Sequence, residues 1–278
     1  MLIKGVVMRE FFVYLWREWF RQVGEALLIA FVVTTFGFTT VAVFGSSMQP
    51  TLAHGERVFV PKYEAWAVRF GLTEWRRGDI AILKPPQGAP NSVTAFPVLG
   101  FTFRPFFIKR IVGLPGDVVS VRRGVVYVNG QPLDEEHITR FITPYPDSFP
   151  RVEVRRGRVV RFAGIPVDRL PEYLKPALEM LEPLPEEVIA ASQARTVEYV
   201  GSLRLKEGYY FVLGDNRSLG GSEDSRTFGP VPARNIAGRA TFVWWPLVRR
   251  DEEGWRVNVR RLEVPQAFLS VPPAPESR

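Results

Sequence analysis

Three short stretches carry residues that could do chemistry together. The first is Gly45-Ser46-Ser47-Met48-Gln49-Pro50-Thr51-Leu52. A serine between a glycine-bearing turn and a Met-x-Pro segment can be held exposed at the end of a strand. The N–H groups of Gly45 and Ser47 could then point at a developing oxyanion. The same octapeptide reads equally well as an ordinary turn leaving a strand. The second stretch is FFIKRIV, residues 106–112. On a strand, Phe107, Lys109 and Ile111 share one face, while Ile108, Arg110 and Val112 share the other. Burial beside two large apolar side chains disfavours the ammonium form of Lys109. Bringing its pKa from about 10.4 to roughly 8 costs about 3 kcal/mol, and the neutral amine can then activate a serine. The competing reading is a lysine whose stem packs while its head reaches water.

The third stretch runs Gly214-Asp215-Asn216-Arg217, Ser218-Leu219-Gly220-Gly221, then Ser222-Glu223-Asp224-Ser225-Arg226. Small and hydrogen-bonding residues at this density suit a rigid polar loop. The Ser222 hydroxyl can orient a neutral lysine without charging it, and Asp224 and Arg226 can pair to fix the loop. A solvated turn would use the same residues. A calcium loop would not, because the acidic residues are too few and wrongly spaced.

Composition removes several rival chemistries. The chain has no cysteine and only two histidines, His54 and His137. A disulfide framework, a cysteine nucleophile and a thiolate zinc site are excluded. A Ser-His-Asp triad would have to use one of those histidines, each of which reads as a surface residue. No cofactor or metal is expected. The net charge of +7 could suit nucleic acid or an anionic membrane surface. Without a helix-turn-helix, zinc-finger or aromatic RNA-binding signature, nucleic acid is not an expected partner, and anionic lipid is.

The elements that must position these stretches begin with an anchor. Residues 26–44, ALLIAFVVTTFGFTTVAVF, carry no charge and at helical rise cover about 28 Å, close to the roughly 30 Å of a bilayer core. Lys4, Arg9, Arg17 and Arg21 precede it against Glu10 and Glu18, a bias that keeps the N-terminus cytoplasmic. The expected division is a cytoplasmic segment over 1–22 and a transmembrane anchor over 23–40. The helix could instead end near Phe38, with the residues after it forming a strand. Beyond it the chain reads as mainly β, with β-branched runs at Arg57–Pro61, Ile80–Leu83, 107–112, 118–121, Val125–Val128, Tyr209–Leu213 and 240–245. Asn129-Gly130 predicts a hairpin turn. Residues 41–133 and 206–263 form the expected catalytic β domain. Residues 134–205 read as an inserted subdomain with arginine-alternating strands over 152–162 and a proline-interrupted helix near 171–194. The Pro-rich segment 264–278 is expected to be a disordered tail.

Taken together, these stretches resemble the bacterial type I signal peptidases, the leader peptidases with a Ser/Lys dyad. The resemblance rests on an N-terminal anchor and Ser-Met-Gln-Pro-Thr-Leu at 47–52. It also rests on Arg77-Gly78-Asp79-Ile80, on the Lys-Arg-Ile-Val-Gly-Leu-Pro-Gly-Asp box at 109–117, and on the two boxes at 214–217 and 222–226. It covers roughly residues 23–133 and 206–247. It implies an N-terminal transmembrane helix followed by a β-rich catalytic domain of the signal-peptidase type. It implies Ser47 as nucleophile, Lys109 as general base, Ser222 as the hydrogen-bond partner of the lysine, and Asp224 and Arg226 as supports. Val43, Met48, Leu52 and Phe107 match pocket-lining positions for preprotein signal peptides with small residues at −1 and −3. The expected setting is the cytoplasmic membrane, single-pass, with the catalytic domain on the exported side and the secretion translocon a conceivable neighbour. Gly45 stands where many members carry a second serine. The run Ser218-Leu219-Gly220-Gly221 is longer than the usual spacer before Ser222, and the insertion matches no known motif. The aromatic stretch 95–107 reads either as outer-leaflet contact or as inter-strand packing.

Two other functions fit part of the pattern. A self-cleaving repressor-type Ser/Lys peptidase shares the Ser-Met nucleophile and the strand lysine, but not the anchor or the Gly-Asp-Asn-Arg box. A membrane-tethered β-rich scaffold without activity would be expected to have lost Ser47 or Lys109. A Ser-x-x-Lys enzyme is excluded because Pro50 occupies the lysine position.

Overall fold

The structure is a computed structural model that describes residues 2–95, 102–251 and 254–272; for residues 2–13, 95 and 251 only the backbone is described. A long helix, Leu2–Val32, continues through a wider turn at Val33–Gly37. Its apolar part, Tyr14–Gly37, is long enough to cross a membrane and is not buried against the rest of the protein, although Phe36 at its end packs on Trp66. The helical run stops at Gly37 rather than 40, because Phe38–Ala42 is captured as a strand by Arg57–Pro61.

The remaining chain is mainly β. A five-stranded sheet has the order Val231–Pro232, Tyr209–Leu213, Phe107–Gly113, Ile80–Leu83, Ile236–Arg239. Its central strand, Phe107–Gly113, is buried along nearly its whole length, which is why it reads as a continuous apolar run around two cations. Three four-stranded sheets surround it. One is built from Phe38–Ala42, Arg57–Pro61, Phe242–Trp245 and Arg260–Arg261. Another contains the hairpin Val118–Arg122 with Val125–Val128. Where Val125–Val128 turns back to Gln131–Pro132, Asn129 and Gly130 take φ of 53° and 83°. Two positive values are what a tight two-residue hairpin demands.

Residues 134–205 supply the last sheet, Ile165–Pro166, Arg158–Phe162, Arg151–Arg155 and Val197–Val200, with helices Lys175–Glu179 and Glu186–Ala194 in place of one broken helix. The segment has no core of its own. Val152, Val154 and Phe162 pack with Val119, Val126, Phe211 and Leu213 of the catalytic sheets, so the expected subdomain is fused to the β domain by shared apolar contact. The expectation of a disordered tail from 264 fails over its first part. Gln266–Leu269 is helical, Phe268 is 1% exposed, and Asn129 Nδ2 donates to the Pro272 carbonyl at 2.8 Å. Phe268 fills space beside Gly78 and the Arg110 guanidinium; residues 273–278 lie outside the described residues, as do 96–101 of the aromatic stretch.

Candidate active site

Strand pairing brings the three stretches to one place. Arg110 on the central strand is opposite Ile80 on one side and Leu213 on the other, so the Gly214-Asp215-Asn216-Arg217 box leaves its strand beside Lys109. The Ser47 turn is then fixed to that box. Asn216 donates its backbone N–H to the Ser47 carbonyl at 3.0 Å and its side-chain amide to the Ser46 carbonyl at 3.2 Å. Thr51 Oγ1 donates to Asp215 Oδ2 at 2.5 Å. Gly214 has no room for a side chain: an added Cβ would lie 2.1 Å from Ser222 Oγ and 2.5 Å from the Ser47 carbonyl oxygen.

Lys109 Nζ lies 2.9 Å from Ser47 Oγ. The lysine is 3% exposed, with its nitrogen 5.3 Å from the centre of the Phe107 ring. Burial pulls its pKa down to about 8, and the nearby carboxylates of Asp224, Glu223 and Asp215 only partly oppose that. None of them is ion-paired to the amine. Asp224, fully buried, caps the turn of Ser225–Phe228, accepts the Gly214 N–H at 3.0 Å and holds Arg226 at 2.8 Å. Burial would raise the Asp224 pKa, but the Arg226 guanidinium outweighs it and keeps the carboxyl below its usual range. Committed to Arg226 and a backbone amide, Asp224 leaves the lysine without a bonded counterion.

The second shared wall of this site is an open groove of about 470 Å³ lined by Val43, Met48, Phe107, Ser47, Lys109 and Ser222, among others. Leu52 is not part of it. The Leu52 N–H bonds back to the Met48 carbonyl, and the side chain is fully buried among Val58, Val60 and Ile80. Two further expectations need correcting. Ser222 lines the groove, but its buried Oγ makes no hydrogen bond among the described residues; the lysine nitrogen is directed at Ser47 instead. The Gly45 N–H is spent on His54 Nδ1 at 3.0 Å, so it is not free for an oxyanion. The Ser47 N–H has no acceptor among the described residues. His54 is therefore a positioning residue for the turn before Ser47 rather than a bystander.

Arg110, Asp215 and Asn216 also belong to the site, although the sequence boxes do not single them out. Arg110, 1% exposed, makes two bonds to Asp215 (2.8 and 2.6 Å) and one to the Gly78 carbonyl. Burial raises the Asp215 pKa, yet Arg110 and Thr51 more than reverse that. The signal was the strand alternation itself, which placed Arg110 on the face opposite Lys109 without saying what it meets there. His137, the other histidine, is half-buried, and neither ring nitrogen is bonded among the described residues; burial and the Arg110 charge push its pKa down to about 4. It stacks edge-on to Phe268 and takes no part in the site.

Fold and site define a β-rich hydrolase with a serine hydroxyl and an unpaired amine in contact. A sequence profile described as "Signal peptidase, peptidase S26" matches residues 16–245. The chain belongs to that family, and it is a peptidase. It is 29% identical over 231 residues to signal peptidase I of Bacillus licheniformis, covering 83% of this chain and 89% of that protein. It is 27% identical over 270 residues to probable signal peptidase I-2 of Synechocystis sp., covering 95% and 91%. Signal peptidase I of Leptolyngbya laminosa is 29% identical over 237 residues, covering 85% and 83%. A crystal structure of a signal peptidase I from Enterococcus faecalis aligns at 24% identity over 61% of this chain and 98% of that one, with a TM-score of 0.29, a superposition too loose to carry any inference. These relatives support removal of signal peptides as the activity.

Proposed function

We propose that the protein is a membrane-bound endopeptidase that removes signal peptides from exported preproteins by way of a Ser47/Lys109 dyad and an acyl-enzyme. The observation that carries this reading is the 2.9 Å contact between a buried, unpaired lysine amine and Ser47 Oγ. With its proton lost, Lys109 Nζ accepts the Ser47 hydroxyl hydrogen along that same contact. Ser47 Oγ attacks the scissile carbonyl as the proton passes to Nζ. The developing oxyanion is met by the Ser47 N–H, since the Gly45 N–H is held by His54. The Lys109 ammonium next protonates the departing amine. A water, deprotonated by the same amine, then releases the signal peptide from Ser47.

Val43, Met48 and Phe107 close the catalytic groove with apolar atoms, which favours small residues at −1 and −3 over large or charged ones. The apolar helix Tyr14–Gly37 would hold the site at the bilayer surface. The positive charges that precede its apolar half would keep the N-terminus in the cytoplasm and the catalytic domain on the exported side. The test is to incubate the purified full-length protein in detergent with a preprotein and determine the new N-terminus. A single cut after a small-x-small sequence, absent in Ser47→Ala, supports the proposal; an unprocessed preprotein sinks it.

A further inference from the structure

The catalytic groove does not end at the dyad. Gly220, Ser222 and Glu223 also line a second groove of about 650 Å³. One wall of that groove is the catalytic loop; the other is the segment that sequence reading could only describe as an insertion, with Asp147, Arg151 and Val200 facing the cleft. The two walls are tied together. Arg226 bridges Asp224 of the loop and Asp147 of the insertion at 2.8 and 2.9 Å, and Tyr145 donates its N–H to the Arg217 carbonyl at 2.9 Å. Glu135 and Arg217 form a further buried ion pair.

We infer that this second groove is the binding site for the stretch of the preprotein that follows the cut, a polar extended polypeptide, and that the insertion exists to build it. This rests on the proposed function, which assigns the apolar groove to the signal-peptide side. A chain crossing Ser47 with its earlier residues in one groove has its later residues in the other. The passage is open at Gly220, where even an added Cβ would meet nothing. The lining changes character at the same point. Val43, Phe44, Met48 and Phe107 lie on the signal-peptide side, while Asp147, Ser148, Arg151 and Arg226 lie beyond the dyad. The residues just before a signal-peptide cut are small and uncharged, of the Ala-x-Ala kind, and the mature chain after it is under no such restriction, so the change matches the ligand. Asp147 lines this groove, and its Oδ2 is held by Arg226, which fixes the carboxylate in the wall. Glu223 uses one carboxylate oxygen on Asn91 and stands at the junction, where the new terminal amine is released.

The test uses the full-length protein in detergent and two kinds of substrate with the same signal-peptide half. One stops at the cut with a small amide leaving group, and the other continues into a polar mature segment, made in an acidic and a basic version. Val200→Trp fills the second groove away from Ser47 and Lys109. It should lower kcat/KM for the extended substrate about tenfold and leave the truncated one unchanged. Arg151 is exposed, and Arg151→Glu should shift selectivity by three- to tenfold away from acidic mature segments and towards basic ones. If both variants treat the substrate pairs as the wild type does, the second groove is not a substrate site. Parallel loss on both substrates in Val200→Trp, with no selectivity change in Arg151→Glu, overturns it equally. Wild-type protein that cleaves neither substrate would instead overturn the parent function.

Discussion

The two faces of the strand Phe107–Gly113 treat neighbouring cations in opposite ways. Lys109 and Arg110 are both buried, at 3% and 1% exposure. Arg110 is met by Asp215, which is fully buried, by a carbonyl and by the Thr51 hydroxyl, so it keeps its charge. Lys109 is met by a serine hydroxyl and an aromatic face, and its pKa falls to about 8. Burial alone does not decide protonation; the bonded partner does. A guanidinium cannot give up its proton in a protein, whereas an ammonium can. The residue order on the strand therefore assigns structure to one face and chemistry to the other.

The strongest way to break this contrast is to remove the chemical face. Ser47→Ala, Lys109→Ala and Lys109→Arg should each lower kcat by at least about 10⁴-fold while the protein stays folded, because members of a nucleophile–base pair act as a unit. Activity in Lys109→Arg would show that the amine need not deprotonate. For the wild type, kcat/KM should fall as the pH drops below about 8, because only the neutral amine can accept the serine proton.

The structural face predicts the next largest effect. Asp215→Asn leaves Arg110 buried without a counterion and should cost about 3–5 kcal/mol in unfolding experiments. Replacing both partners, Arg110→Met with Asp215→Leu, should recover most of that, since an apolar pair carries no desolvation penalty. If the double variant is as unstable as the single one, the pair is not the source of the loss.

Lys109→Met sharpens the comparison from the stability side. The folded pKa of Lys109 lies below its unfolded value of 10.5, so between about pH 8 and 10.5 the unfolded chain binds more protons. Wild-type stability should therefore rise with pH through that window. Below it, the buried ammonium costs about 3 kcal/mol, at roughly 1.4 kcal/mol per pKa unit. Lys109→Met should be the more stable protein at pH 7 and should flatten the rise. The smallest effect belongs to Ser222→Ala. Its Oγ makes no hydrogen bond among the described residues, so stability should hold. Loss of one orienting hydrogen bond during the reaction would lower kcat by about tenfold at most. Unaltered kcat would make Ser222 a wall residue only.

Much of this was readable from residue order. Alternation on the central strand put Lys109 with Phe107 and away from Arg110. Asn129-Gly130 announced its hairpin, and the spacing of the boxes announced the site. What escaped depended on contacts far apart in the chain. Nothing near Arg110 in sequence identifies Asp215 as its partner. The proline-rich tail hid Phe268, which is held by its packing beside Gly78 and Arg110 rather than by its own sequence. The Gly45 N–H looked free until His54 folded back on it. The insertion gave strand patterns but no role, because its apolar residues are completed by the catalytic sheets.

The direct measurement is a titration of the amine itself. Full-length protein in detergent, labelled with ¹³C at lysine Cε and compared with Lys109→Met to assign the signal, should show the Lys109 resonance titrating near pH 8, well below the ordinary lysine value of about 10.4. If the Lys109 resonance instead moves with a midpoint at or above 10.4, the amine is a solvated or counterion-held cation. In that case Ser47 has no base.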